Sequence, residues 1–423
     1  MRTFFKLAFR NVFRFKRRTF LTFSTVALGL AVLIISISLL NGMDNQSRNN
    51  IINSQTAHIK IFNKEYFEKR DDLPLNFTIQ EPQTIYSLLK DIPGIKGIES
   101  RVLFAAGLIK GPDELPCLGV GIEPDQDPGV FNFKDSLISG RWLDPGDNKV
   151  LVGKKLAEDV GLAVGDIITL RMITHSRGEN FSWNALDLEI KGIFQSGNPN
   201  TDSQWILIPQ SLVREGLSLG AVSTEITVRL ASDNDRLLEA ALTGINKKLS
   251  DRFPGLRAYS WKELSGIFLA LSESKTKRSA FIVLIMLFIA SMGIANTMLM
   301  AVFERTREIG MMKAMGMKKG EIKKLFLFEG GIIGVFGALA GCIIGGLGGW
   351  YLEVKGFSIA AMGGTAQKII SSAYPLKDVL YGELSGSILV MTFFIGVAVS
   401  IIASLYPASK AVKLNPIEAL RYI

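Results

Sequence analysis

Residues 279–303 carry no charged side chain, and residues 330–352 carry none either. At a rise of about 1.5 Å per residue, each run wound as a helix crosses a hydrocarbon core about 30 Å thick. The stretch between them, residues 304–329 (ERTREIGMMKAMGMKKGEIKKLFLFE), must then lie at one face of a membrane. Its Arg305, Arg307, Lys313, Lys318, Lys319, Lys323 and Lys324 assign that face to the cytoplasm by the positive-inside rule. Two further uncharged runs, 19–43 and 384–409, complete four transmembrane helices. A basic flank precedes the first, and Lys410 and Lys413 follow the last, so both termini are expected inside. Lys275, Lys277 and Arg278, on the outer side of the second span, run against the rule and are outvoted by the other flanks.

Residues 1–18, wound at about 100° per residue, place Arg2, Lys6, Arg10, Arg14 and Arg17 on one face and Phe4, Phe5, Ala8, Phe9, Val12 and Phe15 on the other. That pattern predicts an amphipathic helix lying in the inner membrane interface. The apolar run that follows is too long for a signal peptide and lacks a small-x-small cleavage site. The formal net charge of +9 raises nucleic-acid binding, but the cations gather at the ends of apolar runs, where they meet membrane lipids. Cys117 and Cys342 belong to different regions, and His58 and His175 lack neighbours at metal-ligand spacing, so neither redox nor metal chemistry is supported.

From residue 44 to 278 the chain turns mixed and polar, punctuated by Pro and Gly, with no run able to cross a bilayer. Strand-like segments (58–62, 99–109, 149–152, 166–172, 186–194, 204–208, 224–230) alternate with helical ones (82–90, 154–160, 209–215, 235–252). Turns are expected at Pro93-Gly94, at Asp144-Pro145-Gly146-Asp147 and at residues 176–179. The fold class is therefore an α-helical membrane protein with four transmembrane helices plus a large α+β extracytoplasmic domain inserted between helices 1 and 2, that domain forming one or two subdomains. Residues 261–278 read as a helix running into the second span, a rod able to carry motion. Catalytic signatures are absent: there is no G-x-S-x-G and no H-E-x-x-H, so the outer domain reads as a binding or transmission module.

In the third span Gly337, Gly341, Gly345 and Gly349 recur every fourth residue. Such a stripe lets helix backbones approach closely in lipid, within one subunit or between two. Residues 353–383 form a short outer loop and 410–423 a cytoplasmic tail.

The residues Glu304-Arg305-Thr306-Arg307-Glu308-Ile309-Gly310, then Lys313-Ala314-Met315-Gly316, Glu321-Ile322 and Phe328-Glu329, resemble the E-R-x-R-E-I-G…A-x-G motif of FtsX-like ABC transporter permeases. The ending Pro407-Ala408…Ala411…Pro416-Ile417-Glu418-Ala419-Leu420-Arg421 is similar to that family's tail. Ser139-Gly140-Arg141-Trp142, residues 149–165, and Gly192-Ile193-Phe194…Ile208-Pro209 resemble the periplasmic core domain shared by lipoprotein-releasing transmembrane subunits and macrolide or peptide exporters. The resemblance covers almost the whole chain.

It implies a multi-pass protein of the bacterial inner membrane whose residues 304–329 couple to an ABC ATPase dimer. The chain has no G-x-x-x-x-G-K-[ST], so it is expected not to cradle nucleotide phosphates by a P-loop, and no cofactor is expected on this chain, ATP with Mg being expected on the partner. A fused ATPase would fit macrolide exporters; its absence fits lipoprotein-releasing subunits better, as does the Gly192, Ile193, Phe194, Gly197, Asp202 element. Coupling is expected from Glu304, Arg305, Arg307 and Glu308 as charged contacts, from Ile309, Met311, Met312 and Met315 as an apolar surface, and from Gly310, Lys313 and Gly316 around them. An acyl chain leaving the outer leaflet needs an apolar groove, for which Ile37, Leu40 and Met43 on the first span and Phe281, Ile282 and Ile285 on the second are the candidates. A second permease copy or a paralogue is expected, and a periplasmic lipoprotein chaperone or adaptor, for which the turn near residues 176–180 is the candidate dock. Lipoprotein release, export through an adaptor, and signalling to a cell-wall hydrolase all remain open.

Overall fold

The structure, a computed structural model, describes residues 2–14, 16–111, 113–175, 181–358 and 379–415. The expected turn at 176–179, most of the outer loop and the motif from Pro416 to Arg421 lie outside them. The chain divides into two compact units, one built from Met1–Asp44, Leu271–Ser358 and Val379–Ile423, the other from Asn45–Ala270.

The first unit is helical: α1 (Arg2–Arg14), α2 (Lys16–Ile51), α3 (Gly266–Glu304, which begins in the other unit), α4 (Thr306–Ala314), α5 (Lys319–Lys355) and α6 (Gly386–Lys413). Among the described residues four stretches, Thr19–Thr56, Ala280–Glu304, Lys319–Lys355 and Gly386–Lys413, are long and apolar enough to cross a membrane. α2 runs on past Met43 to Ile51 and widens into a π turn at Ile52–Thr56. α3 starts at Gly266 rather than at Trp261, because a short helix, Trp261–Leu264, ends first at Ser265. That short helix opens on a capping box, with Ser260 and Glu263 satisfying each other's backbone N–H groups.

The glycine stripe has a definite use. Gly337, Gly341, Gly345 and Gly349 are all buried, and the first three face α2: a Cβ at Gly337 would lie 2.8 Å from Val26 Cβ, at Gly341 2.9 Å from Leu30 Cβ, and at Gly345 2.9 Å from both Ala31 Cα and Ile34 Cβ. Val26, Leu30 and Ile34 recur every fourth residue, so a ridge of one helix lies in the groove of the other. Gly330 and Gly334, earlier on α5, meet Ser404 and Ser400 of α6 in the same way. The stripe therefore packs helices of one chain together.

The second unit is organised by a ten-stranded sheet: β1 (Ile59–Asn63), β2 (Ile95–Lys110), β3 (Asp113–Ile122), β4 (Leu137–Gly140), β5 (Lys149–Gly153), β6 (Ile167–His175), β7 (Phe181–Phe194), β8 (Trp205–Pro209), β9 (Glu225–Leu230) and β10 (Leu256–Ser260). The order is β10-β1-β9-β2-β3-β8-β5-β7-β4, with β6 pairing β2 and β7. β3 and β8, and β5 and β7, are parallel; the other pairs are antiparallel. β2 joins the two halves: residues 95–101 pair with β9, and residues 102–110 pair with β3.

Each half has its own core. Ile59, Ile61, Ile226 and Val228 pack with Ile85, Leu89, Leu238 and Ile245 from helices Pro82–Leu89 and Asp235–Arg252. Val102, Phe104, Val150, Leu170, Ile190 and Ile206 form the other. At the sheet edge, the Asn246 side chain accepts from Ala258 N–H and donates to Ala258 C=O, so a side-chain amide occupies part of the open ladder of β10.

Candidate functional site

α3 ends at Glu304, and Arg305 leaves helical geometry (φ −105°, ψ 17°) before α4 begins. The Thr306 hydroxyl donates to the carbonyl of Phe303, binding up a terminal group of α3. α4 closes with a Schellman motif: Gly316, at φ +93°, lets its own N–H reach Lys313 C=O while Met317 N–H reaches Met312 C=O. Glu321 then accepts from Lys318 N–H and opens α5. A compact, self-capped helix is thereby held between two apolar spans.

Side chains fasten α4 to its surroundings on three sides. Arg305, only 4% exposed, donates from Nη1 to Glu329 Oε1 at 2.8 Å and from Nε to Glu308 Oε2 at 2.9 Å. Its guanidinium stands 5.8 Å from the Phe326 ring. Glu329 Oε1 also accepts from Asn11 Nδ2 at 2.8 Å, and Glu308 Oε1 accepts from Arg14 Nη1 at 2.9 Å. A charge-assisted chain thus runs Arg14, Glu308, Arg305, Glu329, Asn11 and ties α1, α4 and α5 together. On the third side Lys313 Nζ donates to the carbonyls of Val412 (2.6 Å) and Leu414 (2.5 Å) at the end of α6, where orphan carbonyls favour a cation. Burial works against the charge on Glu308, but Arg305 and Arg14 prevail and hold its carboxyl below the ordinary range. Burial, reinforced by nearby Lys319, pushes the Lys313 ammonium down.

The apolar face of α1 departs from expectation. Ala8 and Val12 are buried in one core with Ile309, Ile322, Leu325 and Phe326, while Leu7 and Phe9 remain exposed. Of the expected apolar face, Ala8 and Val12 are thus covered by protein and Phe9 is not, while the side chains of Phe4, Phe5 and Phe15 lie outside the described ones.

The expected contact surface divides accordingly. Arg305, Ile309 and Gly310 are turned inward, Ile309 completely, so they are unavailable to a docking protein. Glu304, Arg307, Met311, Met315 and Gly316 are exposed, Met315 at 80%, and Glu308, Met312 and Lys313 are partly so. Asn11 has no mark in the sequence pattern, and Arg14 and Glu329 appear there only on the basic face of the N-terminal helix and in the family motif, not as contacts of α4. The available signal was Glu329 itself, a lone carboxylate at the threshold of an uncharged run, where a charge requires a partner.

The six groove candidates do not converge in the crevice between the first two spans. There α2 and α3 touch, with a Cβ at Gly29 3.7 Å from Ala290 Cβ, and the space lined by Val26, Leu33, Met286, Leu287 and Ile294 is about 10 Å³, room for one water at most. Phe281, Ile282 and Ile285 are exposed on α3, and Ile37, Leu40 and Met43 are half-buried on α2.

Residues 19–245 match the MacB-like periplasmic core domain, and residues 280–416 match the FtsX-like permease C-terminal family. The chain belongs to the FtsX-like ABC transporter permeases with a MacB-like core domain. The permease is 24% identical to the lipoprotein-releasing system transmembrane protein LolC of Neisseria meningitidis, over 96% of each chain. It is 24% identical to the corresponding protein LolE of Haemophilus influenzae, over 93% of this chain and 92% of that one. The macrolide export ATP-binding/permease protein MacB of Bdellovibrio bacteriovorus is 28% identical over 58% of the permease, but the match takes in only 36% of MacB. As an ABC permease, it is of a kind that works with ATPase partners.

Proposed function

We propose that the permease is the membrane subunit of an ATP-driven mechanotransmission machine that extracts lipoproteins from the outer leaflet of the inner membrane. The observation that carries this reading is the end-to-end match to a lipoprotein-releasing subunit, against partial coverage of a relative whose name includes an ATP-binding part. In this reading both termini and α4 face the cytoplasm, the sheet unit faces the periplasm, and nucleotide and Mg belong to the partner chain. The exposed Met311, Met315 and Arg307 meet the ATPase. The inward ties through Arg305, Glu308 and Lys313 pass its movement to α1, α5 and α6. Closure of the ATPase does work here only if its nucleotide states bind this surface differently. The lipid-facing residues Phe281, Ile282 and Ile285 remain the candidates for first contact with an acyl chain, and Trp183 and Ile167, exposed on the β6–β7 pair, suit a soluble periplasmic partner.

The test is to purify the permease with its native ATPase from its own membrane and identify by mass spectrometry what stays bound. Acylated lipoprotein released on adding ATP supports the reading. An adaptor with an outer-membrane channel, or a cell-wall hydrolase regulator, in place of lipoprotein would transfer the same machine to export or to signalling.

A further inference from the structure

The sheet unit buries a group of charges that transport does not call for. Antiparallel register sets Glu225 opposite Arg101 and Thr227 opposite both Glu99 and Lys60, so these five side chains share one face of β1, β9 and β2. Every one is buried, and Glu99 and Arg101 completely. Lys60 Nζ donates to both oxygens of Glu225, at 2.7 and 2.8 Å. Arg101 donates from Nε to Glu99 Oε2 at 2.9 Å and from Nη2 to Asp127, which reaches in from the short helix Asp127–Val130. The guanidinium stacks 3.6 Å from the Phe131 ring centre. Three carboxyls thus face two cations in a setting without solvent.

Such a group cannot hold a net charge cheaply. Glu99 Oε1 and Asp127 Oδ1 have no donor, and both carboxyls are gathered on the one buried Arg101 guanidinium. One proton placed between them balances the charges and supplies the missing donor. We propose that Glu99 and Asp127 share one buried proton, and that this proton latches the two halves of the sheet unit where β2 changes partners. Arg101 is the last residue of β2 paired with β9, and Val102 is the first paired with β3. Burial drives both carboxyls up, Glu99 well above its usual range, against the pull of Arg101.

The other titratable groups around the pair are Lys60, Glu225, Tyr66, Tyr86 and, beyond Tyr86, Glu123. Burial raises both tyrosines, Tyr86 to about 12, so their hydroxyls stay protonated, and it pushes the Lys60 ammonium down, so the acid pair and Lys60 are the groups that titrate. On alkalinisation the shared proton passes to solvent hydroxide as water, leaving three carboxylates against no more than two cations. Admitting water between Arg101 and Asp127 relieves that imbalance and parts the halves. The latch does not depend on what the permease transports.

The test is infrared spectroscopy of the full-length chain with amide hydrogen exchange alongside. A protonated-carboxyl stretch is expected at neutral pH, lost in Glu99→Gln and in Asp127→Asn, and lost in the wild type on alkalinisation as exchange accelerates at residues 99–103 and 224–227. A stretch that survives both substitutions, or exchange that ignores its loss, overturns the proposal. Should neither variant fold, the wild-type titration still decides: a carboxyl stretch absent from neutral through mildly acidic pH overturns it too.

Discussion

Arg305 Nη1 lies 2.8 Å from Glu329 Oε1, with each side chain under 5% exposed, and this pair joins the capped helix α4 to the base of α5. Breaking one side of a buried pair strands the other charge, at a cost of about 3–5 kcal/mol. Glu308 stays beside Arg305 and softens the loss, so Glu329→Ala is expected at the lower end. Replacing both partners together, as Arg305→Met with Glu329→Leu, strands no charge and should recover most of the stability. Thermal unfolding of the wild type and these two variants in one detergent checks the order.

Met315 is the most exposed apolar residue of the α4 region. If it anchors the ATPase, Met315→Asp should weaken the affinity by about tenfold or more, or about 1.4 kcal/mol. Folding stability should move by less than about 0.5 kcal/mol, because the side chain is solvated in the free permease. Titration of labelled ATPase onto nanodisc-embedded permease reads the first quantity. An unchanged affinity would move the docking surface away from α4.

The close approach of α5 to α2 makes its glycines unequal. Gly345→Leu should cost about 1–3 kcal/mol, because even its first carbon would sit 2.9 Å from Ala31 Cα and Ile34 Cβ. Gly331→Ala meets nothing nearer than Ile401 at 3.7 Å and should be neutral or stabilise the helix by up to about 1 kcal/mol. Unfolding midpoints of the two variants should fall on opposite sides of, or one below and one at, the wild-type value.

The membrane helices were legible because an uncharged run has one structural solution in lipid, whereas β3 was not. Its sequence, DELPCLGVGI, carries Pro116, Gly119 and Gly121, residues that mark turns elsewhere. Here the glycine is a packing device: the Phe104 ring fills the place where a Gly119 Cβ would stand. That demand comes from the neighbouring strand and leaves no local trace. Glu99, Arg101 and Glu225 mislead in the opposite direction. Their alternation describes a solvated face, and only the helix carrying Asp127, folded back from beyond β3, turns that face into an interior. The site shows the same division. The exposed methionines could be read from the motif, but the inward turn of Arg305 and Ile309 depends on α1 and Glu329, which are hundreds and tens of residues away.

His58 offers a test by pH. Leu230 N–H donates to its Nδ1 at 3.3 Å, so the ring proton sits on Nε2 and is donated to Asp233 Oδ1 at 2.6 Å. Both nitrogens are thus used by the neutral ring, and a second proton on Nδ1 would displace Leu230. Burial, helped by Arg229 and Arg48 and opposed by Asp233, lowers the folded-state pKa below the unfolded value of 6.5. Below that value the unfolded chain binds the extra proton first, so stability falls as pH falls. The contribution is full above 6.5 and is lost through the window down to the folded value, with a limiting slope of about 1.4 kcal/mol per pH unit. Denaturant unfolding of the full-length permease across that window should show this slope in the wild type, and His58→Gln should lose it. A slope that persists in the variant would assign the dependence to another group.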